Sequence, residues 1–290
     1  MEGLNIRPDG TYVDVTFGGG GHSRAILERL GPAGRLLAFD RDADAQRNAL
    51  DDSRFVLIHE DFRYLRNFLR MHGVRKVDGL LADLGVSSHQ LDEADRGFST
   101  RFDGRLDLRM DQRAARSAHD VVNGDDEESL RHIFSLYGEL PNAAALAHAV
   151  AAAREAAPID TTQQLKAAVE HLLPRGRENK ALAMLFQALR IEVNGELESL
   201  TSLLEQAPEV LAAGGRLAVI AYHSLEDRLV KNYMRAGRKD GVVQQDFYGN
   251  KLTPWLPVSR KPITPTEAEL AQNSRARSAR LRIAERRNDG

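Results

Sequence analysis

Short apolar runs of strand length alternate with segments whose apolar residues recur every three to four positions over the first part of the chain. Thr11 to Val15 reads as a first strand, stopping at Gly18 to Gly21 before a helix-forming segment. Arg35 to Phe39 reads as a second strand, followed by a helical segment to about Asp51. Phe55 to His59 is a third, running into Glu60, Asp61 and Phe62; a helix from Tyr64 to His72 precedes a fourth, Val77 to Leu84. Such alternation predicts right-handed βαβ units and a parallel sheet with helices on both faces.

From Asp120 to about Gln206 the period is helical throughout. Leu130, Ile133, Phe134 and Tyr137 share a stripe, and Thr161 with Gln164 has the capping-box spacing. A long helix from about Asn179 carries Leu182, Leu185, Phe186, Leu189, Val193 and Leu197, with Gln187, Arg190 and Asn194 as a polar strip beside them. That strip reads as solvated or as facing a substrate. The sheet resumes at Arg216 to Ser224, then a helix presents Leu225, Leu229 and Tyr233, Asp240 to Pro265 is irregular, and a last strand falls within Ser274 to Arg287. The expected organisation is an α/β core from 1-108 and 207-290, interrupted at 109-206 by an all-helical domain.

The four glycines mark the first candidate for chemistry. A strand reversing into a helix needs positive φ angles, and backbone without Cβ lets a ligand lie against it. Asp40 ends the second strand nineteen residues past Gly21, close to the spacing at which an acid meets a nucleotide ribose. The dinucleotide pattern lacks its third glycine in either register, which weakens an NAD-dependent oxidoreductase, and no Lys-Ser or Lys-Thr follows as a phosphate loop requires. Asp14, four residues before the glycines, gives the segment a likeness to motif I of S-adenosylmethionine-dependent methyltransferases, with Thr16 at the usual first glycine. A merely tight strand-to-helix turn is the simpler alternative.

The net charge of -2 supplies no global basic field, so a nucleic-acid partner must meet a local patch. No cysteine is present, which excludes disulfides, thiolate zinc sites and a covalent cysteine adduct to a pyrimidine ring; no metal site is expected. Neither a long apolar run nor a secretory leader is visible, so no membrane role is expected and a cytoplasmic location is the default.

Asp83 closes the fourth strand, where an open α/β sheet holds its ligands; it also reads as a plain turn cap. The long loop that follows interleaves Phe98 and Phe102 with Arg101, Arg105 and Arg109, suited to stacking a base and neutralising phosphates, or to internal ion pairs. His223 ends the fifth strand, beside the expected end of the Asp83 strand. Six arginines and one glutamate between Ser274 and Arg287 make the clearest basic patch, read as an RNA contact at Arg277 and Arg280 or as protection of an edge strand.

Taken in order, DVTFGGGGHS, FDRD, ADLGVSSHQLD, RGFS, DLRMD, FQALRIEVN, GGRLAVIAYHSLEDR and RARSARLRIAE resemble the bacterial 16S ribosomal RNA cytosine-N4 methyltransferase family over nearly the whole chain. The resemblance implies a class I, Rossmann-like methyltransferase fold with an inserted helical substrate domain. It implies methyl transfer from S-adenosyl-L-methionine to the exocyclic amine of a cytidine in the decoding region (P site) of 16S rRNA, within the small ribosomal subunit, by a monomer or a homodimer. By motif, Gly20, Gly21 and His22 would line the methionine part, Asp40 would hold the ribose, Phe62 would flank the adenine, and Asp83 and Gln90 would complete the cofactor site. Asp83 and His223 are the expected proton acceptors; Phe98, Phe102, Arg109, Arg190, Arg277 and Arg280 are the expected RNA contacts. The family's basic character after Tyr137 to Glu139 is missing here, where the chain is neutral. A non-catalytic nucleotide-binding RNA chaperone is the remaining alternative.

Overall fold

The computed structural model describes residues 1–288. Seven strands form one sheet: β1 (Thr11–Asp14), β2 (Arg35–Phe39), β3 (Phe55–Ile58), β4 (Val77–Asp83), β5 (Leu211–Ala221), β6 (Trp255–Pro257) and β7 (Arg280–Arg286). Their order is β3-β2-β1-β4-β5-β7-β6. The first five pair in parallel, while β7 runs antiparallel to both β5 and β6 and is the one reversed strand. The order turns back at β1, between β2 and β4, which is where an open α/β sheet leaves a crevice at its carboxyl edge.

Period-two alternation explains how the sheet buries both faces. Val13, Leu37, Leu80, Leu217, Val219 and Ala284 point into one core, which takes Leu65 and Leu69 of α2 (Leu65–Met71) and Leu229, Val230 and Tyr233 of α10 (Ser224–Ala236). Their neighbours Tyr12, Leu36, Leu81, Ala218 and Ile283 point into the other, against Ile26 and Leu27 of α1 (Gly21–Leu27). Hence strands that read as continuous apolar runs lie in the centre.

The chain divides into two compact units, residues 1–85 with 197–290 and residues 86–196, so the boundaries fall earlier than 108/109 and 206/207. Packing explains the shift. Phe98, Leu106 and Leu108 sit in the helical core, whereas Leu200, Leu203 and Leu204 of α9 (Glu196–Val210) sit in the sheet core. The helical unit is built on α3 (Ser88–Asp92), α4 (Ala118–Gly124), α5 (Glu127–Leu136), α6 (Ala143–Ala156), α7 (Thr162–Val169) and α8 (Glu178–Asn194). Its expected capping box is formed, Thr161 accepting from Gln164 N–H while Gln164 accepts from Thr161 N–H.

Three local expectations differ. The segment after Asp40 makes only a 3-10 turn, Ala43–Asn48, capped by Asp42. The fifth strand begins earlier than Arg216: α9 stops at Val210 and β5 starts at Leu211, shifting register against β4 at Gly214 and Gly215, with Gly214 at φ 76°. The irregular stretch contains β6, anchored by buried Trp255.

Candidate active site

The carboxyl ends of β1, β2 and β4 are tied together by hydrogen bonds within the sheet unit. Val15 N–H donates to Leu81 O at 2.9 Å and Phe17 N–H to Phe39 O at 2.9 Å, so the chain leaving β1 is shared between its two neighbours. Asp14, fully buried, accepts from Thr16 N–H at 3.1 Å and from the Ser23 hydroxyl of α1 at 2.8 Å. Burial pushes its carboxyl up while those two bonds oppose the shift. Asp14 therefore acts as the clamp that fixes the turn between strand and helix.

The turn itself needs glycine at Gly18 and Gly20, whose φ angles are 51° and 75°. At Gly19 and Gly21 a Cβ would meet nothing within 4 Å, so this face of the turn is open. Asp40 reaches back to the turn, its Oδ2 accepting from Gly18 N–H at 2.7 Å and its Oδ1 from Asp42 N–H at 2.8 Å. Burial outweighs both bonds and pushes the carboxyl up to about 6.

Asp83 lies across from this turn at the end of β4. Its N–H donates to Thr16 Oγ1 at 2.6 Å, its Oδ2 lies 3.2 Å from His22 Nε2, and its Oδ1 accepts from the Tyr222 hydroxyl at 2.9 Å. The bond to Asp83 raises the His22 pKa against the opposing effect of burial, and burial together with Asp83 raises that of Tyr222. Asp83 is thus a carboxylate held at both oxygens, each with a further lone pair to offer. Thr16, which stands at the usual glycine of the motif, supplies a side-chain acceptor that glycine cannot.

Gly20, Gly21, His22, Asp40 and Asp83 all lie at this edge of the sheet, and Thr16 and Tyr222, to which the sequence reading gave no role, hold Asp83. Phe62 opens the 3-10 turn Phe62–Tyr64 after β3, half-buried against the sheet core and preceded by the cap Asp61. Gln90, in the helical unit, is buried in the capping box of α3, where its Oε1 accepts from Ser87 N–H at 2.9 Å. His223 is the N-cap of α10: Nδ1 accepts from Glu226 N–H at 3.5 Å, and buried Nε2 lies 3.2 Å from Glu226 Oε1 without hydrogen-bond alignment. Both nitrogens face Glu226, a helix-capping role absent from the sequence reading.

The expected RNA contacts separate. Phe98 is 7% exposed within the helical core, with Arg96 over its ring, so its apolar face is used in packing; Phe102 is 49% exposed. Arg109 is held by both oxygens of Asp107 at 2.8 Å, and Arg190 by both oxygens of Glu196 at 2.8 and 3.0 Å. Neither guanidinium stands free on a surface. Arg280 lies 3.1 Å from Asp227, which also holds Arg282, whereas Arg277 is exposed. Asn194, on the strip that admitted a solvated reading, is buried and pins the loop: its Oδ1 accepts from Met110 N–H at 2.7 Å and its Nδ2 donates to Leu108 O at 2.7 Å.

Among the described residues a lone reversed strand β7 against six that run the other way, with a glycine turn after β1 and acids closing β1, β2 and β4, defines a class I methyltransferase fold. The open backbone at Gly19 and Gly21 and the acceptors at Asp40 and Asp83 fit the nucleoside cofactor of that class. The chain belongs to the MraW methylase family, whose model matches residues 1–287. The protein called ribosomal RNA small subunit methyltransferase H from Bacteroides thetaiotaomicron is 55% identical over 287 residues, covering 99% of this chain and 94% of that one. The protein of the same name from Flavobacterium psychrophilum is also 55% identical, covering 99% of this chain and 98% of that one. Among solved structures, an rRNA methylase from Streptococcus thermophilus aligns at a TM-score of 0.40 and 13% identity over 99% of this chain and 92% of that one, too distant to inform the site.

Proposed function

We propose that the protein is an S-adenosylmethionine-dependent methyltransferase acting on small-subunit ribosomal RNA, and that its target is the exocyclic N4 amine of a cytidine in the decoding region of 16S rRNA. The observation that carries the reading is the Thr16, His22, Tyr222 and Asp83 cluster beside an open glycine turn, in a chain more than half identical to proteins named as small-subunit rRNA methyltransferases. The motif resemblance supports cytosine N4 in particular. Among the described residues no helix is long and apolar enough to cross a membrane, in keeping with work on ribosomal subunits in the cytoplasm.

S-adenosylmethionine, when bound, supplies an electrophilic methyl on a sulfonium. By the motif resemblance Gly20, Gly21 and His22 would hold its methionine part, Asp40 its ribose and Phe62 its adenine, with Asp83 completing the site. The cytosine amine is the poorer partner, because its lone pair is delocalised into the ring. Asp83 answers that deficiency: a free lone pair on a carboxylate oxygen accepts an N–H of the amine, localises the nitrogen lone pair and aligns it for attack. Methyl transfer from the bound sulfonium to N4 would leave a proton on the nitrogen, which the Asp83 carboxylate would take and pass to water. Tyr222 and His22 fix the carboxylate's orientation by occupying one site on each oxygen. His223 remains the second acceptor, reached only if its ring turns from Glu226. The target base must leave its stack to enter such a site.

The test is transfer of radiolabelled methyl to isolated 30S subunits, followed by mass spectrometry of the modified nucleoside. Wild type should yield N4-methylcytidine, and Asp83→Ala should lose transfer while keeping its melting temperature. Near-normal methylation by Asp83→Ala would remove that carboxylate from the mechanism. Tighter binding of NAD than of S-adenosylmethionine, or rRNA lacking any new methyl group, would overturn the functional reading itself.

A further inference from the structure

Between α10 and β6 the chain leaves the core and returns to it, and both ends are anchored. Gly237, at φ 70°, closes α10 with its N–H on Tyr233 O at 2.7 Å, and buried Trp255 begins β6. Within this excursion Gln245 pairs antiparallel with Lys251, and Leu252 N–H donates to Gln244 O at 2.8 Å. The tip is a built turn. Asp246 Oδ1 accepts from the N–H groups of Tyr248 and Asn250 at 2.8 Å each, its Oδ2 accepts from Asn250 Nδ2 at 2.9 Å, and Gly249 takes φ 82°.

What this turn displays is unusual for a surface. Phe247 is 97% exposed and Tyr248 86%, their rings set edge to face at 87° with centroids 5.5 Å apart. Two adjacent rings left almost wholly in water, on a turn held by three side-chain and three backbone bonds, are apolar area awaiting a partner. The charge around them selects its class. From Arg238 to Lys261 the chain has five cations, Arg238, Lys239, Lys251, Arg260 and Lys261, against Asp240 and Asp246. Asp240 pairs with Arg238 and Asp246 is taken up by the turn, while Lys239 and Lys251 have no carboxylate partner among the described residues.

We infer that Phe247 and Tyr248 form a stacking tip for unpaired bases of the RNA, with Lys251 and Lys239 on the phosphates that flank them. Rings on a rigid turn with cations beside them are what single-stranded nucleic acid recognition requires, since every base offers a π face and its backbone a negative charge. Gln245 and Asn250 flank the two aromatic residues along the hairpin, the Asn250 amide being bonded to Asp246. The inference rests on the ribosomal RNA reading and adds a contact that acts on substrate binding, not on methyl transfer.

The experiment uses the full chain and fluorescence anisotropy with a labelled pyrimidine-rich single-stranded RNA and a duplex of equal length. Phe247→Ala and Tyr248→Ala should each weaken single-strand binding about fivefold or more, and together more than about twentyfold, with duplex binding and melting temperature unchanged. Tyr248→Trp should restore or tighten it. Unchanged single-strand affinity in the double variant would overturn the inference, as would equal losses on duplex. A double variant that binds naked 16S rRNA normally but 30S subunits weakly would also overturn it, by assigning the tip to a ribosomal protein. With 30S substrate, the double variant should raise KM and keep kcat. Failure of wild type to methylate rRNA at all is a separate result, which sinks the functional reading and leaves the binding comparison readable.

Discussion

Asp40→Asn combined with a pH series tests the glycine turn and the cofactor assignment together. Burial pushes the Asp40 carboxyl from 3.8 to about 6 although two backbone N–H groups donate to it. A shift of about two units means that ionising Asp40 in the free fold costs about 3 kcal/mol at neutral pH. The sign follows from which state holds its proton more tightly. Folded Asp40 does, so the free protein gains stability from this group as pH falls from 7 through 6 toward 4, and loses it on the return. Ribose hydroxyls donating to the carboxylate favour the charged form, so cofactor binding reverses the sign and expels a proton below pH 6. With the bound carboxyl returned to the ordinary carboxylate range, affinity for S-adenosylmethionine at pH 5 is expected to be about tenfold weaker than at pH 7. Calorimetry at pH 5, 6 and 7, in two buffers of different ionisation heat, reads both the affinity and the proton. Asparagine cannot titrate, and its NH2 opposes one of the two backbone donors, so Asp40→Asn should bind more weakly at every pH and lose most of the slope. His22, raised by Asp83, accounts for what slope remains. A wild-type dissociation constant that is equal at pH 5 and 7, or a variant that retains the tenfold slope, would refute the reasoning.

Two further outcomes follow from contacts outside that turn. Asn194→Ala leaves the buried Met110 N–H and Leu108 carbonyl without their partner and should cost about 3 kcal/mol, read as a lower denaturant midpoint; a loss under about 0.5 kcal/mol would make the pin dispensable. Arg277→Glu should weaken RNA binding and reduce the salt slope by about one, whereas Arg280→Glu should mainly lower stability by opposing Asp227; an unaltered slope for Arg277→Glu would make that arginine structural.

Local chemistry made part of the site legible. A strand that must turn into a helix within a few residues has to put glycine at Gly18 and Gly20, and an acid closing a parallel strand has to face the carboxyl edge, so Asp14, Asp40 and Asp83 could be picked from spacing alone. The contacts that orient Asp83 could not. Tyr222 lies 139 positions away, and what makes them neighbours is the pairing of β4 with β5 across an inserted helical unit. Asp83 pairs with Ile220 in that register, which carries the Tyr222 ring to the adjoining strand end. The sequence reading set the end of the fifth strand beside the Asp83 strand but not the register, so it took His223 and not Tyr222 as the neighbour.

The loop after Asp83 admitted two readings that the sequence can in part separate. Its arginines interleave with aspartates, a composition compatible with gripping phosphate or with pairing internally, and spacing decides between the two. Asp107 and Arg109, and Asp111 and Arg113, stand in the pattern D-x-R, and in each pair the aspartate Oδ1 accepts both the arginine's backbone N–H and its Nε. Asp52 and Arg54 repeat the arrangement in the sheet unit. The geometry is a local turn closed by a bidentate ion pair, and where that turn forms, the arginine's charge is committed before any partner arrives. Arg101 lacks that preceding aspartate, and Arg105, although Asp103 stands two residues before it, forms no such pair; neither has a carboxylate partner among the described residues. By the same rule that withdraws Arg109 from the phosphates, those two guanidiniums become the better candidates to meet them.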